Sequence, residues 1–176
     1  MPGYSNAALH KFSHPQKTRP KDAPRNWTQP TYSAKIQYAE APSSSGPLPQ
    51  QSVTRIQKVI GTMIYYSIAV DPTMLVAIGT IVSTQATATK DTVKAVVKLL
   101  NYAASHPDAT IRHHASGMLL HIHSDGSYIS APKLQSRAGD NFFLSNVPII
   151  SKKRLLPNGP FYVTHSPQRH VLRCSS

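Results

Sequence analysis

From Gln51 onward the apolar residues fall into a helical rhythm. Val53, Ile56, Ile60, Ile64 and the pair Ser67/Ile68 recur at steps of three and four, which predicts a helix with one buried stripe. Asp71-Pro72 then reads as the turn that opens a second helix, with Asp71 as N-cap and Pro72 at the first helical position. Met74, Leu75, Ile78, Ile81 and Val82 supply its apolar face. A third helix opens at Thr89 or Lys90, turns Val93, Val96, Val97, Leu100 and Ala104 inward, and is stopped by His106-Pro-Asp108. Short connections make these three helices antiparallel neighbours. After Arg112 the period drops to two. Leu120, Ile122 and Ser124 then share one face of a strand and Leu119, His121 and His123 the other, with Phe142, Phe143 and Leu144 in a partner strand. The expected fold class is α+β.

Proline sets the boundaries. Of 15 prolines, eight fall in residues 1–50, four in residues 147–176 and three between. At that density proline interrupts helices and central strands alike. Residues 1–50 are therefore expected to be an extended, basic, proline-rich segment, relieved by a short helix from Asn6 to Phe12. Residues 51–112 form the helical segment and 113–146 the strand pair. Residues 147–176, with five basic residues, no acidic ones and no sustained period, are expected to be a loose tail. No internal repeat is visible.

Charge narrows the partners. Lys and Arg number 19 against seven Asp and Glu, a net charge of +12. Such a field favours polyanions, nucleic acid before anionic membrane. The single cysteine, Cys174, excludes an internal disulfide framework and a thiolate-rich zinc site. The longest apolar run, Val59 to Val70, is interrupted by Gly61, Thr62 and Ser67 and falls short of the roughly 20 residues that span a bilayer. The N-terminus lacks the apolar core of a secretory signal. A soluble, intracellular chain without a membrane partner is expected.

Lys11, Lys17, Arg19, Lys21 and Arg25 are interleaved with Trp27, Tyr32 and Tyr38. Cations among aromatics suit phosphate contacts and base stacking on single strands or hybrids; the competing reading is a solvated linker. Lys90, Lys94 and Lys98 repeat at four-residue spacing on the third helix, ordinarily its solvated side. His121 and His123 share a strand face but lack a third ligand at usual spacing, so they read as surface histidines, and no metal site is assigned. His106 and the pair His113-His114 read the same way. Ser124 and Ser127 have no base and orienting partner, which excludes a nucleophile of the triad type. Asp125, near the end of its strand, is the one carboxylate placed to suggest phosphodiester chemistry. That chemistry holds two Mg²⁺ ions about 4 Å apart among several carboxylates. After Asp125 only Asp140 is acidic, and the last glutamate is Glu40.

Several blocks, in order, carry a resemblance. They are Met1-Pro-Gly-Tyr4 with Ala8-Leu-His-Lys-Phe12, Thr54-Arg-Ile-Gln57 with Ile60-Gly61, Tyr65-Tyr66, and Ala69-Val-Asp-Pro-Thr-Met-Leu-Val76. Leu99-Leu-Asn-Tyr-Ala103, His106-Pro-Asp-Ala-Thr110, His121-Ile-His-Ser-Asp125 and Phe142-Phe-Leu-Ser-Asn146 follow. Over residues 1–146 the chain resembles the end of the reverse transcriptase region and the start of the RNase H region in polyproteins of long-terminal-repeat retrotransposons, copia-type in particular. The resemblance implies that residues 1–50 leave the polymerase palm, that residues 51–105 form the helical connection, and that residues 118–146 open RNase H. Asp125 then takes the position of the first RNase H metal ligand. Gly126 stands where the family has Ala, and no Asp-Asp pair of the polymerase signature is present. Beyond Asn146 the family's Glu-bearing helix, with the second catalytic carboxylate, has no counterpart.

The expectation is a truncated retrotransposon-derived fragment: a three-helix connection-like segment, then an incomplete RNase H-like β-hairpin, with proline-rich flanks. Asp125 would be a vestigial catalytic position. Nucleic acid would be bound weakly and without sequence preference, through Lys11, Lys17, Arg19, Lys21, Arg25 and Trp27. No cofactor is expected, Mg²⁺ belonging to the complete parent enzyme. The alternative is an RNase H-type nuclease on RNA–DNA hybrids, with its missing carboxylates supplied by another chain. Uncovered apolar surface would favour self-association.

Overall fold

The structure is a computed structural model that describes residues 1–15, 19–26, 45–131, 135–146 and 158–168. The described residues divide into two compact units, a helical one ending at Thr110 and a stranded one from Ile111.

The helical unit contains α1 (Tyr4–Lys11), α2 (Gln50–Ala69), α3 (Leu75–Thr84) and α4 (Lys90–Ser105). Helix α2 buries Val53, Ile56, Val59, Ile60, Met63 and Tyr66. That stripe is rotated from the expected one, since Ile64 and Ile68 are exposed. The reason is geometric. Val53, Ile56, Ile60 and Met63 already fill one arc about 100° wide, and Ile64 and Ile68 fall on its flank. Asp71 accepts from the Thr73 N–H at 3.3 Å and from the Thr73 hydroxyl, capping a 3₁₀ turn (Pro72–Met74) that leads into α3. At α4, Thr89 and Thr92 cap reciprocally, with the Thr89 N–H donating to Thr92 Oγ1 at 3.1 Å.

Helix α1 belongs to this unit rather than to an extended flank. Ala8, Leu9 and Phe12 enter the same core as Met63, Met74, Ile78 and Leu99. The Tyr4 ring stacks on Tyr66 at 5.6 Å, and its hydroxyl donates to the Thr62 carbonyl at 3.1 Å. Arg55 donates to the Phe12 carbonyl at 2.7 Å, which closes the C-terminal end of α1.

Tyr66 is the largest fully buried side chain among the described residues, and its hydroxyl reaches the Pro107 carbonyl at 3.4 Å. Burial raises its phenol above the ordinary value of 10.0, and the Asp71 carboxylate adds to the shift. The fold thus favours the neutral phenol. Its contribution is whole below the unfolded pKa and is lost as pH climbs through the raised folded value. Tyr66→Phe has no such proton to lose, so its helical circular-dichroism signal should persist to higher pH than that of the wild type. Equal alkaline midpoints would contradict this.

The stranded unit is an antiparallel meander of β1 (Leu119–Ala131), β2 (Gln135–Ser145) and β3 (Pro160–Gln168), in the order β1-β2-β3. The third strand lies in the segment expected to be a loose tail. Phe161-Tyr162-Val163-Thr164 has aromatic and β-branched residues suited to a strand, and the flanking Pro160 and Pro167 are tolerable because β3 is an edge of this sheet. Asn158 braces its start. Its side chain accepts from the His114 N–H and donates to the His114 carbonyl, both at 2.7 Å, while the Gly159 N–H donates to the Arg112 carbonyl at 3.0 Å. A Cβ on Gly159 would collide with that carbonyl.

Of the two histidines expected at the surface, His123 is exposed and His121 is not. His121 is only 3% exposed and stacks on Phe143, its direct partner in register, at 5.4 Å, while His123 meets the same ring edge-on at 4.9 Å. Leu120 and Ile122, on the other face, are 56% and 49% exposed. On that face Phe142 packs against Tyr162 at 5.4 Å.

Candidate nucleic-acid interface

Helix α4 and the segment before α2 build the site in the helical unit. The side chains of Lys94, Lys98, Asn101 and Ser105 follow at steps of four, three and four, so they form one row down α4. Three points tie the N-terminal segment to that row. His14 Nε2 and Asn101 Oδ1 are 2.9 Å apart, the Lys21 N–H donates to Ser105 Oγ at 2.9 Å, and Lys98 Nζ donates to Asn26 Oδ1. Residues 21–26 therefore run back along α4 as a strap, and Pro20 and Pro24 restrict its backbone.

Between strap and helix lies a groove of about 420 Å³. The strap contributes Lys21 and Asn26; α4 contributes Lys94 and Lys98 at the rim and Val93 and Val97 as a floor. The two valines were expected to face inward. They are 37% and 40% exposed, because Val96, Leu99, Leu100 and Ala103 fill the arc of α4 that meets the core. Lys94 is held by Asp91 at 2.7 Å, an exposed pair that an incoming anion readily replaces. Four consecutive positions of α4, from Lys94 to Val97, thus hold a cation, two residues toward the core and an apolar floor residue.

The sequence-predicted basic residues do not all converge here. Lys21 lines the groove. Arg19 and Arg25 lie on the same N-terminal segment, Arg19 exposed and Arg25 half-buried. Lys11 ends α1, with its ammonium 5.5 Å from the centre of the Phe12 ring. Lys17 and Trp27, like Tyr32 and Tyr38, lie outside the described residues. Lys94 and Lys98 were visible as a charged helix face, but their meeting with Lys21 had no signal in local periodicity, being a contact across more than seventy positions.

Asp125 is exposed on β1, opposite Gly139 in β2. Asp140 pairs with Ser124, one residue away in register, and accepts from the Thr164 hydroxyl at 2.7 Å. Because neighbouring register positions alternate sides, Asp125 and Asp140 stand on opposite faces of the sheet. Among the described residues no three His, Cys, Asp or Glu side chains are grouped to hold a metal ion. His106 stacks on Tyr102 at 4.4 Å, as part of the helical unit's packing. No described helix is long and apolar enough to cross a membrane. Compared with known protein families, curated proteins and solved structures, the chain matches none.

Proposed function

We propose that the chain derives from the reverse transcriptase and RNase H regions of a copia-type retrotransposon polyprotein, and that its activity is weak, sequence-independent binding of nucleic acid through the α4 groove. The observation that carries this reading is the meeting of Lys21 with Lys94 and Lys98 around one groove. Cations from two distant stretches of sequence form one electropositive site in a chain of net charge +12. The antiparallel meander, with an aspartate on its first strand, supports the resemblance to the opening of RNase H.

No catalytic role falls to Asp125 in this reading. Cleavage of RNA in a hybrid takes several carboxylates converging on paired cations, and Asp140 faces away. The nuclease alternative needs acids from a second chain beside Asp125, and it predicts Mg²⁺-dependent hybrid cleavage that Asp125→Asn abolishes.

Binding of this kind has an expected Kd on the order of 10⁻⁴ to 10⁻⁶ M at physiological salt, set by phosphate contacts and counterion release. A filter-binding titration of the full chain at two salt concentrations tests it. Affinity should fall steeply as salt rises. Affinity indifferent to salt, or no retention even at low salt, would refute the proposal.

A further inference from the structure

Phosphate contacts leave the floor of the groove unexplained. Val93 and Val97 sit half-exposed in the same groove as the cations, where a site for phosphate alone has no use for them. We infer that the groove selects a single strand over a duplex, taking one unstacked nucleotide with its base against Val93 and Val97 and the adjoining phosphates on Lys94, Lys98 and Lys21. This rests on the nucleic-acid reading above and adds the form of the ligand to it.

A duplex keeps its base faces stacked inside and offers a protein phosphates, sugars and base edges. Docked on this groove, it covers the valines with polar groups and gains nothing from their desolvation. An unpaired base brings an apolar face to an apolar floor, so water leaves both surfaces. The charges fit one strand as well. Lys94 and Lys98 lie one helical turn apart, a rise of about 6 Å, and Lys21 lines the same groove from the strap, so three cations share it with the floor.

The size of the groove agrees. At about 420 Å³ it falls in the range of small-ligand pockets, suited to one nucleotide and too small for a double helix to enter. Base identity has little purchase on the floor itself. Valine offers no hydrogen bond, and the side-chain oxygens of the bordering amides are engaged, Asn26 with Lys98 and Asn101 with His14, which leaves only their N–H donors to face a base. The preference is therefore for unpaired nucleic acid of any sequence.

The test is fluorescence anisotropy on the full chain, with a labelled oligothymidine and a labelled hairpin duplex of equal phosphate count at the same salt. The single strand should bind roughly fivefold more tightly, a smaller margin than an aromatic stacking platform gives. The Val93→Thr/Val97→Thr double variant keeps shape and charge but makes the floor polar. It should bring the two affinities close together by weakening the single strand alone, and its circular dichroism should match the wild type because both sites are exposed. Equal wild-type affinities would overturn the inference and leave the nucleic-acid reading standing. A preference that survives in the double variant would overturn it too, by locating selectivity elsewhere. Failure to bind either probe would overturn both.

Discussion

Changing Lys21, Lys94 and Lys98 together to glutamine is expected to weaken nucleic-acid binding by about tenfold or more. The salt dependence should shrink with it. At roughly 0.7 per phosphate contact on a single strand, losing three contacts lowers the slope of log affinity against log salt by about two. The effect should be local. Lys21 and Lys94 are exposed, and glutamine at position 98 retains an N–H for Asn26, so the helical fold should persist. Lys58→Gln, on the exposed side of α2, removes one positive charge away from the groove and serves as the control for each single Lys→Gln change. A triple variant with the wild-type slope would show that charges elsewhere carry the binding.

The second large effect concerns the rotation of α4. Leu99 is completely buried, so Leu99→Ala should destabilise the helical unit by about 2–5 kcal/mol, the transfer cost plus that of the cavity left behind. Val97→Ala, at a site 40% exposed, should shift stability by no more than about 0.5 kcal/mol. Urea unfolding followed by circular dichroism compares the two. Similar losses would mean that Val97 faces the core, and the groove would then have no apolar floor.

That contrast marks what the sequence made legible. The three main helices followed from their periodicity, and their ends from Asp71-Pro72, Thr89 and His106, because capping chemistry is local. The inward face was harder to read. Helix α4 carries more apolar residues than one arc can bury, and only packing against α1, α2 and α3 decides that Leu99 goes in while Val93 and Val97 stay out. Helix α2 repeats the lesson with Ile64 and Ile68. Local reading also placed the start of β1, but not the side of the sheet that is covered. His121 is buried because Phe143 lies across from it in register, a fact set by strand pairing. Strand β3 leaves little local signal because prolines flank a short aromatic run. For the groove, the cations of both contributing segments were visible separately. Their convergence depends on His14, Lys21 and Asn26 finding partners on α4, which are tertiary contacts.

The lysines that nucleic acid covers distinguish the α4 groove from a diffuse basic surface. Lysine acetylation of the full chain, read peptide by peptide with and without excess oligothymidine at low salt, identifies them directly. Lys21, Lys94 and Lys98 should become protected together while Lys58 labels as before. Protection spread evenly over the lysines, or found at Lys58 and absent from the three around the groove, would contradict binding at the groove.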